Sequence, residues 1–160
     1  VNYDWTSRVI AVDNWLNVPI PELQGFMEAE RANFKGGEIK QESWGYSGIG
    51  YVQPGQGTVS ISWQVNSPAA GSNKMVIVWA NGSDRDKYMY LVVNDSRPQK
   101  QTFSSSTNWN KWNGHVVDVT LKRGENTIIL SSKDGGPHID FIYFTESIFE
   151  IKPSRSSISR

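Results

Sequence analysis

The strongest constraint on the fold is the alternation of apolar and polar side chains along several short runs. Residues 59–65 read Val-Ser-Ile-Ser-Trp-Gln-Val. This period of two puts alternate side chains on opposite faces of a β-strand. Residues 26–30 and 116–121 alternate in the same way, and further strand-like runs cover residues 38–41, 51–52, 74–79, 88–93, 127–130 and 139–144.

Turn-forming residues separate these runs, as in Pro-Gly-Gln-Gly at 54–57 and Arg-Gly-Glu-Asn at 123–126. No long stretch has the 3.6-residue period of an amphipathic helix, and no internal repeat is present. The pattern therefore predicts an all-β domain of eight to ten strands, a β-sandwich of the jelly-roll type.

Composition excludes several classes of function. Lys and Arg together number 16, as do Asp and Glu, so the chain has no net charge to attract nucleic acid. The absence of cysteine excludes disulfides and thiolate chemistry, and no run of 18 apolar residues could span a membrane. Seven Trp, six Tyr and six Phe are more than a binding site needs, so most should pack in the core.

The two ends differ from the middle. Residues 1–24 predict an extension or linker, because Val-Pro-Ile-Pro at 18–21 favours extended backbone. Residues 25–151 form the expected module, and the Ser/Arg-rich residues 152–160 a tail. The chain starts at Val1 without a signal sequence, and we expect a processed or excised secreted, extracellular protein.

Eight short motifs in register carry a family resemblance from about residue 26 to 144. They include Met-Glu-Ala-Glu at 27–30, Gly-Tyr-Ser-Gly-Ile-Gly-Tyr-Val at 45–52, Trp-Ala-Asn-Gly at 79–82, Trp109 with Trp112, and Pro-His-Ile-Asp at 137–140. In this order the chain resembles carbohydrate-binding module families 6, 35 and 36, and most closely family 35. The resemblance implies a jelly-roll module joined to a secreted glycan-active enzyme, with a structural calcium and a sugar site in loops at one end.

Glu28 and Glu30 lie two residues apart on a predicted strand, so their carboxylates share a face about 7 Å apart. Spacing alone leaves three readings open: a solvated face, a site for a hard cation, or a catalytic carboxylate pair. The resemblance implies the second, with Glu28, Glu30 and Asp140 as calcium ligands. Backbone carbonyls would complete that site, and residues 35–37 are a candidate source.

Residues 107–115 combine aromatic and amide side chains in a predicted loop, as sugar sites do. The resemblance implies that Trp112 stacks on the sugar and that Trp109 packs at the rim, while Asn108 and Asn113 are hydrogen-bonding candidates. Edge-of-core packing of Trp112 is the alternative.

A second wall of the sugar site is expected from residues 43–47. The resemblance implies that Tyr46 faces the sugar, and Trp44 is the alternative. His138 stands where many relatives have Asn, so it is either a sugar contact or a structural histidine.

The residues favour a binder over an enzyme. Two histidines form no metal cluster, and no phosphate-binding glycine loop precedes a helix. The predicted partners are a polysaccharide or oligosaccharide and a covalently linked catalytic domain, with the module itself a monomer. A small glycan-active enzyme and a lectin-like adhesive domain are the alternatives.

Overall fold

The computed structural model of the protein describes residues 26–145. The predicted extension at residues 1–24 and tail at 152–160 lie outside this range. Eleven strands are present in the described part: β1 (Met27–Glu28), β2 (Asn33–Lys35), β3 (Gly37–Lys40), β4 (Tyr51–Pro54), β5 (Val59–Ser67), β6 (Gly71–Ala80), β7 (Lys87–Val93), β8 (Gln99–Phe103), β9 (Asn113–Leu121), β10 (Gly124–Ser132) and β11 (His138–Phe144).

The strands form two antiparallel sheets, which confirms the predicted all-β sandwich. The first sheet has the order β3-β4-β11-β6-β9, with β1 also paired to β11, and the second has the order β2-β5-β10-β7-β8. The period of two decides which side chains enter the space between the sheets. Val59, Ile61, Trp63 and Val65 of β5 are all buried there, whereas the serines between them are not.

Three local predictions were wrong. Strand β1 ends at Glu28, and residues Ala29–Arg31 form a 3₁₀ turn, so Glu28 and Glu30 do not share a strand face. Residues 113–115 belong to β9 rather than to a loop. Strands β2 and β8 were missed because they are the short edges of the second sheet and each has a single apolar residue, so the sequence shows no apolar–polar alternation there.

The side chain of Asn126 connects the turn before β10 to the turn after β7 by hydrogen bonds. Its side chain donates to the carbonyls of Lys122 and Gly124 and accepts from the Lys122 amide, each at 2.9 Å. It also accepts from Asn94 Nδ2 at 2.9 Å, and Asn94 holds a left-handed backbone with φ of 56°. Since Asn126 is only 1% exposed, water cannot replace these bonds.

We expect Asn126→Ala to lower the free energy of unfolding by about 2–3 kcal/mol, because it removes four hydrogen bonds and leaves part-buried backbone groups of Lys122 and Gly124 without partners. Urea titration measures this loss. Asn73→Ala is the matched control: its side chain makes one exposed bond, to the Gly71 carbonyl at 3.2 Å, at the start of β6. An equal effect of the two substitutions would contradict the role assigned to Asn126.

Candidate functional site

Three carboxyl groups meet beside the first sheet. Glu28 ends β1, Glu30 lies in the following 3₁₀ turn, and Asp140 belongs to β11. Pairing of β11 with β6 slips between Ile139 and Phe141, so Asp140 is the extra residue of a β-bulge, which redirects its side chain. One carboxylate oxygen from each group lies within 4.8 Å of the other two.

The loop of residues 47–49 holds one oxygen of each carboxyl group. The Ser47 hydroxyl donates to Glu28 Oε2 at 2.7 Å, and the Ser47 amide donates to Asp140 Oδ2 at 2.7 Å. The Ile49 amide donates to Glu30 Oε2 at 3.3 Å. The remaining oxygens, Oε1 of both glutamates and Oδ1 of Asp140, are buried without a hydrogen-bond partner.

Burial dominates the electrostatics of this carboxylate cluster. Loss of water, reinforced by the neighbouring negative charges, raises the pKa of Asp140 to about 9 and that of Glu28 to about 7. Burial also raises the pKa of Glu30. Hydrogen bonds from Ser47 oppose these shifts for Asp140 and Glu28 without cancelling them. The cluster is therefore unfavourable as three bare negative charges.

These residues fit a hard divalent cation. Three buried, unpartnered carboxylate oxygens that converge from separate elements are the donor type such a cation prefers. Gly48 makes the approach of the loop possible, since its φ is +64° and an added Cβ would lie 2.6 Å from Glu30 Oε2. In the expected carbonyl source at residues 35–37, the Gly36 carbonyl accepts from the Gly55 amide at 2.7 Å, and a contribution of this loop to a cation site stays a prediction.

A group of stacked rings lies next to the carboxylate cluster. His138 is sandwiched between Tyr51 and Trp109, with ring centroids 4.9 and 4.0 Å away. Tyr51 also contacts Tyr46 at 5.6 Å and the edge of Trp112 at 5.3 Å. This stack therefore brings Tyr46, Trp112 and His138, all named from the sequence, into one group.

His138 occupies the interior of this stack. It is 8% exposed, and its Nδ1 is buried without a partner. Burial, with a smaller contribution from the charge of Lys87, lowers the pKa of His138 to about 4. The imidazole is therefore neutral at pH 7 and packs between two aromatic rings, which is a structural role. A contact between His138 and a sugar stays a prediction.

Two hydrogen bonds fix the exposed Trp44 to the opposite loop. The Trp44 amide donates to Asn110 Oδ1 at 2.7 Å, and Trp112 Nε1 donates to the Trp44 carbonyl at 2.6 Å. Trp44 is 78% exposed, far more than any other large apolar residue in the described chain. Its backbone is thus held in place while its indole faces solvent.

Of the two predicted amide contacts, Asn108 lies in the middle of the loop between β8 and β9, and Asn113 is the first residue of β9. Asn108 is exposed, and its Oδ1 accepts from the Asn110 amide at 2.9 Å, which shapes the turn. Asn113 opens β9 opposite Trp79. Sequence reasoning missed Tyr51, the ring that joins the other aromatics, because it reads as an ordinary core position at the start of β4.

Comparison with known proteins decides the family. The model of carbohydrate binding module (family 35) matches residues 25–147. The chain belongs to family 35 of the carbohydrate-binding modules. A solved family 35 module from Clostridium thermocellum superimposes with a TM-score of 0.69 at 30% identity, covering 73% of this chain and 93% of that one. Modules of this family are generally non-catalytic.

Two relatives are larger enzymes. A 1,6-alpha-glucosyltransferase of Sporosarcina globispora is 33% identical in an alignment 145 residues long that covers 86% of this chain and 11% of that enzyme. An exo-beta-D-glucosaminidase of Amycolatopsis orientalis is 32% identical over 119 residues, 72% of this chain and 12% of that enzyme. The family 35 module therefore matches only about a tenth of each of these enzymes. Within residues 26–145, no helix is long and apolar enough to cross a membrane.

Proposed function

We propose that the loops bearing Trp44, Tyr46 and Trp112 bind one face of a neutral glycan and so hold a secreted, covalently linked catalytic domain on its polysaccharide. The supporting observation is Trp44, whose indole is exposed while hydrogen bonds to its backbone amide and carbonyl hold its main chain in place. A flat, rigid ring loses little conformational entropy when a pyranose stacks on it.

The polar part of the sugar site comes from the neighbouring amides. Asn108 is exposed beside Trp109, and Asn113 lies at the start of β9 next to Trp112. These side chains offer donors and acceptors for sugar hydroxyls, while His138 supports the rings from beneath. In this arrangement Trp112 both contacts the ligand and anchors Trp44.

We further propose that Glu28, Glu30 and Asp140 hold a structural calcium. The support is the set of three buried oxygens without partners, together with carboxyl pKa values that burial has raised. Bound calcium would neutralise the repulsion within the cluster. Glu28 and Asp140 both bond to Ser47, next to Tyr46, so they connect the cluster to the loop of the sugar site.

Affinity electrophoresis in gels that contain dextran, xylan, mannan or chitosan tests the binding function. Dextran comes first because one relative is named a 1,6-alpha-glucosyltransferase. We expect retardation by at least one of these glycans, no new reducing ends after incubation, and loss of retardation in Trp112→Ala.

Val116→Ala is the matched control, since it shortens a 58%-exposed apolar side chain in the middle of β9, outside the loops. Release of reducing ends by the wild-type chain would overturn the binding function in favour of an enzyme. Equal retardation of Trp112→Ala and wild type would remove the loops from the glycan site.

A further inference from the structure

A large hollow lies over the second sheet, on the face turned away from the core. Its volume is about 990 Å³, and none of its lining residues belongs to the loop site. Tyr88 and Tyr90 of β7 stand two residues apart on this face and are 44% and 43% exposed. Met89 and Leu91, on either side of Tyr90, point inward and are buried.

Strand register explains the shape of the hollow. One row of paired residues crosses all five strands in the order Lys35, Ser60, Ser131, Tyr90 and Lys100. With strands about 4.8 Å apart, the row is about 19 Å long. The two small serines in its middle leave a trough floored by hydroxyl groups, and the larger side chains on β7 and β8 form a wall.

The charge of the lining is unbalanced although the whole chain is neutral. The lining contains four basic side chains and two carboxylates, so it carries a net charge of two positive units (four minus two). The basic residues are Arg85, Lys87, Lys100 and Lys133, and the acidic ones are Asp86 and Asp134. Asp86 already accepts a hydrogen bond from the Ser105 amide at 3.0 Å.

The basic side chains of the hollow are largely uncommitted. Lys87, Lys100 and Lys133 form no ion pair with any residue of the described chain, whereas Arg85 lies 3.6 Å from Asp84 with both side chains largely exposed. Lys100 Nζ instead lies 4.1 Å above the Tyr88 ring. Lys100 is also the residue paired with Tyr90 across β7 and β8, so both tyrosines and this ammonium group belong to one patch of the outer face.

We propose that this face is a second carbohydrate site, separate from the loops, for a glycan chain that carries carboxylates. Tyr90 supplies the ring on which a uronate pyranose stacks, and Lys100 and Lys133 pair with the carboxylates. The proposal rests on membership of a carbohydrate-binding family and on this charge complementarity, and it holds whether or not the loops bind a neutral sugar.

Isothermal titration with oligogalacturonate at 50 mM NaCl and fixed calcium tests the second site. We expect Lys100→Glu/Lys133→Glu to weaken binding at least about tenfold, because two attractions become repulsions. Tyr90→Ala should weaken it severalfold through loss of stacking. All three residues are exposed, so these substitutions should leave the melting temperature unchanged.

Lys122→Glu/Arg123→Glu is the matched control, since it reverses two exposed charges at the far end of β10, about 23 Å along the strand from Ser131. Equal weakening by the two double variants would overturn the proposal. So would unchanged binding in Tyr90→Ala, which would leave only nonspecific charge attraction.

Further ligands and one loop variant separate the second site from the alternatives. Trp44→Ala should bind oligogalacturonate like the wild type, and a loss there would assign the acidic sugar to the loops instead. Binding of the glycan that retards the wild type in gels should survive Lys100→Glu/Lys133→Glu. Tighter binding of inorganic polyphosphate or dextran sulfate than of oligogalacturonate would overturn the assignment to carboxylated glycans.

Discussion

Chelation with EGTA at pH 8 is expected to lower the melting temperature of this module by about 10–20 °C. A ligand present at about 1,000 times its dissociation constant stabilises the folded state by about 4 kcal/mol, and each kcal/mol shifts the melting temperature of a domain this size by a few degrees. The physical source of the effect is the cluster of Glu28, Glu30 and Asp140, whose unpartnered oxygens repel one another without a cation.

The size of this calcium effect should depend on pH in a defined direction. Folding raises the pKa of Asp140 from 3.8 to about 9 and that of Glu28 from 4.5 to about 7. The metal-free folded state therefore binds more protons than the unfolded state, so its stability falls as the pH rises through these folded values. With calcium bound the same carboxylates are ionised, and the stabilisation by calcium should be small at pH 5 and large at pH 8.

Asp140→Asn separates this effect from general stabilisation by salt. The variant should melt at a temperature that no longer responds to calcium, while Asp95→Asn, an exposed aspartate in the turn after β7, should respond like the wild type. Differential scanning calorimetry with and without EGTA measures both. A wild-type melting temperature that EGTA does not change at pH 8 would show that the cluster holds no calcium.

Trp44→Ala is expected to weaken binding of the neutral glycan by about 30-fold, or about 2 kcal/mol, the loss typical of an aromatic residue at the centre of an interface. Because the Trp44 side chain is 78% exposed, its removal should leave the melting temperature within about 2 °C of the wild type. Isothermal titration with the glycan that retards the wild type measures the change in affinity.

Trp112→Phe separates the role of Trp44, the ring on which the sugar would stack, from that of Trp112, which donates a hydrogen bond to the Trp44 carbonyl. The substitution keeps an aromatic ring against Tyr51 but removes the indole N–H that donates to the Trp44 carbonyl. We expect a smaller loss than for Trp44→Ala, about 5- to 10-fold, because one hydrogen bond that positions the platform is gone. Full affinity in Trp44→Ala would contradict the platform role and move it to Trp112 or Tyr46.

The alternation in the sequence was enough to predict the sandwich, because strands such as β5 bury every second side chain. It was not enough for the edges of the second sheet, since β2 and β8 are short and polar. Glu28, Glu30 and Asp140 were named correctly as a group, although for a partly wrong reason. A 3₁₀ turn and a β-bulge bring them together, and neither leaves a period in the sequence.

The sequence named the aromatic residues of the proposed sugar site by type but not their arrangement. Tyr46 and Trp112 lie against the same ring, Tyr51, and Trp44, the alternative to Tyr46, is joined to the second segment by two hydrogen bonds. The residues that these two bonds connect are 66 and 68 positions apart in the sequence. Pairings over such distances follow from the fold and cannot be read from local sequence. The same limit hid Tyr51, whose partners come from three separate segments.

The loop of residues 43–49 carries the Trp44 indole near its first residue, and the amides of Ser47 and Ile49 near its other end donate hydrogen bonds to the carboxylate cluster. Two ligands that share one ordered segment are thermodynamically linked. If calcium orders this loop and thereby raises the affinity for the glycan by some factor, the glycan must raise the affinity for calcium by the same factor. A module bound to its polysaccharide would then retain calcium in surroundings that strip it from the free module, and its release from the polymer would follow the local supply of the metal.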